Sequence, residues 1–311
     1  MMMNIIYIVF GILMVLWGAG KLTDGATSIA AKMKIPPMII GLTVVAMGTS
    51  MPEFFVSFVS ALKGTSDLAV GNVVGSNIFN TMLIVGTTAL VTPMVIAKST
   101  VKKDIPFAVL ASAMLLPMAI DGSISRIDAA VLFAVFIAFM LYTVRSAKKE
   151  KDSGNEDEVK EMPVWRAVAF FVLGLACLIV GSNLFVDGAT AVASLLGVSE
   201  AVIGLTVVAG GTSLPELATS VVAARKGQCA IAMGNVIGSN VFNILMILGI
   251  TGMIHPMSII GITRLDFIVM QLSIILLWIF SFTKYTVARW EGGLLVALFL
   301  AYMTWLVMHA V

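Results

Sequence analysis

Long apolar runs dominate the chain, separated by short clusters of charged residues, glycine, proline or asparagine. A helix needs about 20 predominantly apolar residues to cross a bilayer. Stretches such as 129–141 are apolar on every side, so the runs are interpreted as helices within a membrane. The pattern therefore predicts an all-α polytopic membrane protein. Its ten predicted spans are 4–22, 37–62, 68–93, 105–121, 127–144, 165–186, 200–224, 230–254, 265–283 and 291–310.

The composition agrees with this pattern. Hydrophobic residues make up 59% of the 311 residues and charged residues only 12%, with a mean hydropathy of +1.05, whereas a soluble domain carries about 25% charged residues. The 19 Lys and Arg against 17 Asp and Glu leave a net charge of +2, which is no basic excess for binding nucleic acid. Soluble enzymes and DNA-binding proteins are thereby excluded. Cys177 and Cys229 stand alone in apolar segments and are interpreted as packing residues.

Lysine and arginine are distributed unequally between the two sides of the ten-span arrangement. The loops after the first, third, fifth, seventh and ninth spans hold 16 of them, and only Lys63, Arg126 and Arg264 lie on the other side. Cytoplasmic loops of membrane proteins carry such an excess. We therefore expect both termini to be extracytoplasmic and the hydrophilic linker to be cytoplasmic.

The chain contains an internal duplication. Residues 41–86 and 204–249 align without gaps at an offset of 163, and 27 of the 46 positions are identical. Because each half holds five predicted spans, an odd number, the second copy enters the membrane from the opposite side. The predicted domains are a five-helix repeat in 1–144, a cytoplasmic linker in 145–164 and an inverted five-helix repeat in 165–311.

Two carboxylates, Glu53 and Glu216, fall near the middle of predicted spans, at equivalent positions of the two copies. A charged residue at mid-bilayer costs about 2.5–3.5 kcal/mol on insertion scales and usually faces a protein interior, a cavity or an ion path. The alternative is a protonated or hydrogen-bonded glutamate that joins two helices. A symmetric pair, each within a GTS-x-PE motif, favours an ion site.

Proline and glycine predict breaks in the helices that carry these glutamates. Pro52 and Pro215 each remove a backbone donor, and together with Gly48 and Gly211 they are expected to release carbonyl oxygens. A plain proline kink is the alternative. Matching breaks in two repeats are typical of the midplane site of a transporter.

Neutral polar residues cluster in the third and eighth predicted helices. Ser76 and Asn80 are four residues apart and so lie on one helix face, as do Ser239 and Asn243. The alternative role is hydrogen bonding between helices, beside glycines that allow close packing. We expect both: glycines that pack, and Ser and Asn faces that line the site.

The candidate ligands are all oxygen atoms, from hydroxyls, amides, carbonyls and two carboxylates. Such a set suits hard cations, whereas zinc and copper prefer His or Cys. Two bidentate glutamates with the carbonyls of Thr49 and Thr212 would supply about six oxygens, the lower end of the range for Ca²⁺. Their two charges would balance one Ca²⁺ or two Na⁺, so one pocket could serve both ions in turn.

The doubled GTS-x-PE and GN-x-x-GSN-x-x-N motifs resemble those of the Ca²⁺:cation antiporters, and most of all the prokaryotic sodium/calcium exchangers. The resemblance implies ten helices in a prokaryotic cell (inner) membrane. Helices 2, 3, 7 and 8 would be broken or irregular around a midplane ion site, and helices 1 and 6 would slide against the bundle. It also implies a secondary active antiporter that exchanges Na⁺ for Ca²⁺ by alternating access and extrudes Ca²⁺. The implied ligands are Glu53, Glu216, Thr49, Thr212, Ser50, Ser213, Ser76, Ser239, Asn80, Asn243, and the carbonyls of Ala46 and Ala209.

One position departs from part of the family. Some relatives, including potassium-dependent exchangers, have Asp where this chain has Asn243, so the centre is expected to hold two carboxylates and not three. Cation/proton members tend to carry a further carboxylate in the GN-type motif, which is absent from both copies here. A Ca²⁺/H⁺ antiporter of the same fold and a passive cation channel remain the alternative functions.

The sequence also predicts what the protein does not use. It contains no HExxH motif, Walker loop or credible Ser/His/Asp set, so we expect no enzyme activity. We expect no cofactor, no nucleic acid and no obligatory protein partner. The expected partners are Ca²⁺ and Na⁺ as transported ions, and the lipid bilayer.

Overall fold

The protein is mainly helical. The computed structural model describes residues 2–64, 66–118, 120–150, 162–197, 207, 209–259 and 262–310. The helices of the first half are α1 (Met2–Met33), α2 (Pro37–Ile40), α3 (Ala46–Thr49), α4 (Met51–Leu62), α5 (Ser66–Ile78), α6 (Val85–Val91), α7 (Ile105–Ala113), α8 (Leu115–Met118) and α9 (Arg126–Glu150). Those of the second half are α10 (Val164–Leu195), α11 (Ala209–Thr212), α12 (Leu214–Arg225), α13 (Cys229–Val241), α14 (Leu248–Ile254), α15 (Arg264–Phe282) and α16 (Arg289–Ala310).

Within the described ranges, seven helical segments are long and apolar enough to cross a membrane, and a bent pair makes an eighth. They correspond to eight of the ten predicted spans. The predicted span 105–121 is divided by a turn at Met114 into α7 and α8. The predicted span 200–224 lies partly outside the described residues.

The helices of the first and sixth predicted spans, α1 and α10, are longer than predicted. The predicted spans end at residues 22 and 186, but α1 and α10 each run for 32 residues. Lys21 and Asp24 suggested the end of the first span. A helix keeps its backbone hydrogen bonds past the apolar run, and long polar side chains extend from it towards water. The charged residues therefore lie within the helix and do not end it.

Glycines bring α1 and α10 into close antiparallel contact. A Cβ atom added at Gly11 would lie 2.6 Å from the carbonyl oxygen of Gly181, and one added at Gly174 would lie 2.5 Å from the backbone nitrogen of Leu22. Gly18 faces Gly174 in the same way. Small residues let helix backbones approach this closely within a membrane. The two long helices therefore form one tightly packed pair.

The third and eighth predicted spans are irregular, as predicted, because each contains π-helical turns. Phe79–Ile84 joins α5 to α6, and Phe242–Ile247 joins α13 to α14. Two more π-helical segments are Gly41–Val45, between α2 and α3, and Thr100–Asp104, before α7. Such turns add a residue to the hydrogen-bonded ring and occur frequently at functional sites.

Short antiparallel strands join the two halves. β1 (Met94–Val95) pairs with β4 (Thr286–Val287), and β2 (Ser123–Ile124) pairs with β3 (Met257–Ser258). Each residue of the second pairing lies 163 positions from a residue of the first. The same contact is therefore made twice, with the halves exchanged.

Candidate ion-binding site

Both glutamate-bearing helices are interrupted at the serine of the GTS motif. α3 ends before Ser50 and α4 begins after it, with a bend of 46° in the span. In the second copy, α11 ends before Ser213 and α12 begins after it. The two serines have ψ angles of 7° and 5°, outside the helical range. Pro52 and Pro215 follow within the first two helical positions, where a missing backbone N–H is tolerated.

The two glutamates begin the new helices and are buried. Glu53 lies in the first turn of α4 and Glu216 in the first turn of α12, and each is 1% exposed. The partial positive charge at a helix N-terminus favours a carboxylate there. The breaks thus place both carboxylates inside the protein, at helix ends that favour their charge.

Each glutamate is bonded by a serine from the other half of the chain. Ser213 Oγ donates to Glu53 Oε1 at 2.9 Å, and Ser50 Oγ donates to Glu216 Oε1 at 3.1 Å. The four residues occupy equivalent positions, so one contact is the counterpart of the other. The two GTS-x-PE motifs therefore form one cluster.

Ser76 of α5 and Ser239 of α13 lie in the same cluster. Ser239 Oγ is 3.5 Å from Glu216 Oε1, and Ser76 Oγ is 3.3 Å from Ser213 Oγ. Both are buried. The structure therefore brings together the serines and glutamates that the two motifs contribute.

Asparagines fix the backbone that carries the glutamates. Asn72 Nδ2 donates to the carbonyl oxygen of Glu53 at 3.2 Å and to Ser57 Oγ at 3.0 Å. In the second copy, Asn235 Nδ2 makes the same contacts with Glu216 and the equivalent serine, at 3.4 Å and 3.1 Å. The two asparagines belong to the polar cluster predicted in the third and eighth spans but were not among the predicted ligands, and the two serines were not predicted. The signal was available, because Ser57 and Ser220 are identical residues four positions after each glutamate.

The threonines and alanines of the candidate set lie on the short helices before the breaks. Thr49 ends α3, and its Oγ1 donates to Asn235 Oδ1 at 3.0 Å. The carbonyl of Ala46 accepts the Ser50 N–H at 3.0 Å and lies 3.3 Å from Thr49 Oγ1. To bind an ion, this carbonyl would have to give up one of those contacts. Ala209 and Thr212 begin and end α11.

Asn80 and Asn243, which occupy equivalent positions in the two copies, differ in their contacts. Asn80 Nδ2 donates to Asn240 Oδ1 at 3.2 Å, and Asn240 Nδ2 donates to Thr81 Oγ1 at 2.8 Å. The position equivalent to Thr81 is Ile244, which has no acceptor. The second copy therefore lacks this chain of hydrogen bonds beside Asn243.

Several buried oxygens at the site have no hydrogen-bond partner in the described part of the chain. They are Glu53 Oε2, Glu216 Oε2, Asn80 Oδ1 and Asn243 Oδ1, together with Asn243 Nδ2. A buried polar group left unpaired costs about 1–3 kcal/mol. Carboxylate and amide oxygens such as these are the ligands that hard cations prefer. Among the described residues, no three His, Cys, Asp or Glu side chains are grouped as a transition-metal site would require.

Comparison with known proteins assigns the family. The family model described as sodium/calcium exchanger protein matches residues 3–145 and 166–308. This chain belongs to the sodium/calcium exchanger family. The exchanger is therefore a member of a cation antiporter family. Its long apolar helices agree with an integral membrane protein.

Relatives of the exchanger occur in bacteria and archaea. It is 42% identical over 262 residues to the putative antiporter CaxA of Alkalimonas amylolytica, covering 82% of each chain. It is 33% identical to the sodium/calcium exchanger MaX1 of Methanosarcina acetivorans, covering 96% of this chain and 97% of that one. The solved structure of the sodium-calcium exchanger NCX_Mj matches with a TM-score of 0.86 at 30% identity, covering 97% of this chain and 98% of that chain.

Proposed function

We propose that the exchanger carries Na⁺ and Ca²⁺ in opposite directions by alternating access and extrudes Ca²⁺ with the Na⁺ gradient. The observation that carries the proposal is the pair of buried glutamates. Each has one oxygen bonded to a serine of the other half and one oxygen without a hydrogen-bond partner among the described residues. Two such charges would balance one Ca²⁺ or two Na⁺, so the ions would compete for the same carboxylates.

The proposed ligands come equally from the two halves. The glutamates and the threonine carbonyls would hold Ca²⁺, and the serines and the alanine carbonyls would surround Na⁺. The asparagine amides would lie beside the centre. The full set is Glu53, Thr49, Ser50, Ser76, Asn80 and Ala46, with Glu216, Thr212, Ser213, Ser239, Asn243 and Ala209.

The proposed architecture is ten membrane-spanning helices in two inverted repeats. Residues 1–144 and 165–311 would each cross five times, joined by a cytoplasmic linker at 145–164, with both termini extracytoplasmic. The strand pairings that recur with the halves exchanged support this arrangement, as do the equal lengths of α1 and α10. The excess of Lys and Arg in alternate loops supports the orientation.

Uptake of ⁴⁵Ca²⁺ into proteoliposomes tests the coupling ion. Vesicles would be loaded with Na⁺ or with K⁺, each with and without an imposed pH gradient. We expect uptake only from the Na⁺-loaded vesicles, dissipated by a Na⁺ ionophore. Uptake that follows the proton gradient without Na⁺ would instead establish Ca²⁺/H⁺ exchange. Uptake that needs neither gradient would indicate a channel.

A further inference from the structure

An ion pair joins α1 to the far end of α12. Lys226 Nζ lies 2.6 Å from Asp24 Oδ1 and donates to the carbonyl oxygen of Gly20 at 2.8 Å. The contact connects a helix of the first repeat to a helix of the second. It lies outside the proposed ion site.

The same two residue types recur 163 positions away, without the contact. Asp187 on α10 is equivalent to Asp24, and Lys63, just after α4, is equivalent to Lys226. Both are exposed, and neither has an ion-pair partner in the part of the chain that the structure describes. One of two equivalent Asp–Lys pairs is therefore formed, and the other is open.

The packing of helices is also different at the two equivalent places. α1 packs along α12, whereas α10 makes no comparable contact with α4 among the described residues. A cavity of about 260 Å³ lies between α12 and the α1–α10 pair, lined by Ile12 and Leu16 of α1, Phe185 of α10 and Leu217 of α12. Phe185 is two residues from Asp187. The α1–α10 pair thus contacts α12 directly near Asp24, whereas a cavity separates it from α12 near Asp187.

The two aspartates are carried by one tightly packed unit. The glycine contacts hold α1 and α10 against each other, with Asp24 towards one end of the antiparallel pair and Asp187 towards the other. Because the pair is closely packed, a movement that brought Asp187 to Lys63 would withdraw Asp24 from Lys226.

We propose that these two ion pairs are alternating latches. The Asp24–Lys226 pair holds the α1–α10 pair against the end of α12 in this structure. The Asp187–Lys63 pair takes over when the opposite end of the site closes. The inference rests on the proposed alternating access and adds to it the residues that stabilise each end state.

Cross-linking of the open pair tests the latch. Asp187→Cys and Lys63→Cys would be combined with Cys177→Ala and Cys229→Ala, and the thiols joined with a short bifunctional methanethiosulfonate in proteoliposomes. We expect Lys226→Gln to raise the cross-linking yield about two- to five-fold, the range that an exposed ion pair supports. Since the cysteines replace the second latch, the change reports only the loss of the first.

Arg225→Gln is the matched control, because Arg225 is the adjacent exposed cation and makes no ion pair in the described ranges. It should leave the yield unchanged. Lys226→Asp should raise the yield, and adding Asp24→Lys should lower it again by restoring an ion pair with its charges exchanged. Equal yields with Lys226→Gln and Arg225→Gln, or no reversal in the double variant, would overturn the latch. The readout needs no ion flux, so ⁴⁵Ca²⁺ uptake that ignored Na⁺ would defeat the proposed coupling and leave the latch standing.

Discussion

Each buried carboxylate at the site is only half satisfied by the protein. One oxygen of Glu53 and one of Glu216 accepts a serine hydroxyl, while the other has no partner among the described residues. An ionised carboxylate away from water is costly unless a cation lies beside it. A bound cation, as proposed, would pair with the second oxygen of each glutamate.

Replacing either glutamate with glutamine should abolish Ca²⁺ exchange. The amide keeps the shape of Glu53 or Glu216 but removes one of the two charges that would balance Ca²⁺. We expect Glu53→Gln and Glu216→Gln to lose ⁴⁵Ca²⁺ uptake into Na⁺-loaded proteoliposomes and to elute as the parent protein does in size-exclusion chromatography.

Glu291→Gln is the matched control for this prediction. Glu291 is equally buried, at 1% exposure, but its Oε2 accepts the Ala288 N–H at 2.7 Å at the start of α16. Glutamine keeps an acceptor oxygen for that bond, as it does at the same position of a capping box, so both stability and uptake should persist. Exchange retained in Glu53→Gln or Glu216→Gln would contradict the proposed site.

Duplication in the sequence was enough to find the glutamates and serines, but not their pairing. Equivalent positions identified Ser50 and Ser213, whose hydroxyls face the glutamates of opposite halves. That exchange depends on how the two halves pack, which no local pattern encodes. The different environments of Asn80 and Asn243, in contrast, have a cause that is visible in the sequence. Thr81 accepts a hydrogen bond from Asn240, whereas the equivalent Ile244 has no acceptor.

At the scale of helices, the apolar pattern and the helix-breaking residues predicted which helices exist better than where each helix ends. Proline and glycine gave the break at Ser50, and apolar length gave the eight spans observed. The ends of α1 and α10 were placed too early because charged residues were interpreted as loop residues. The π-helical turns were anticipated only as irregularity, since their register depends on packing between helices.

Close packing of α1 and α10 predicts a specific sensitivity to added methyl groups. A Cβ at Gly174 would lie 2.5 Å from the Leu22 nitrogen, whereas one at Gly75 would meet nothing within 4 Å. We expect Gly174→Ala to reduce the free energy of unfolding by about 1–3 kcal/mol, measured as a lower Tm in detergent. Gly75→Ala should be neutral or slightly stabilising, because alanine is favoured over glycine inside a helix. Equal Tm changes would mean that the seam is not tightly packed.

At the scale of the whole molecule, equivalent contacts divide into those made twice and those made once. The strand pairings and the glycine contacts of α1 and α10 occur in both halves. Among the described residues, an equivalent of the Asp24–Lys226 ion pair is not formed by Asp187 and Lys63. Under the proposed alternating access, exchanging the packing of the two halves would generate the opposite state.

The proposed inverted arrangement makes a topological prediction that cysteine labelling can test. In the background of Cys177→Ala and Cys229→Ala, single cysteines would be placed by Met2→Cys, Met308→Cys and Ser153→Cys. We expect a membrane-impermeant maleimide to label the first and second in intact spheroplasts and the third only after permeabilisation. The reason is the excess of Lys and Arg in the linker and the other loops assigned to the cytoplasm.

The outcome distinguishes the possible arrangements of the two halves. Termini on one side and the linker on the other require an odd number of crossings in each half, which turns the second copy upside down relative to the first. Labelling of all three cysteines from the same side would give an even number in each half and would rule out inverted repeats. The GTS-x-PE motifs would then enter the site from the same direction. The reciprocal contacts between the serines of each half and the glutamates of the other would then need a different explanation.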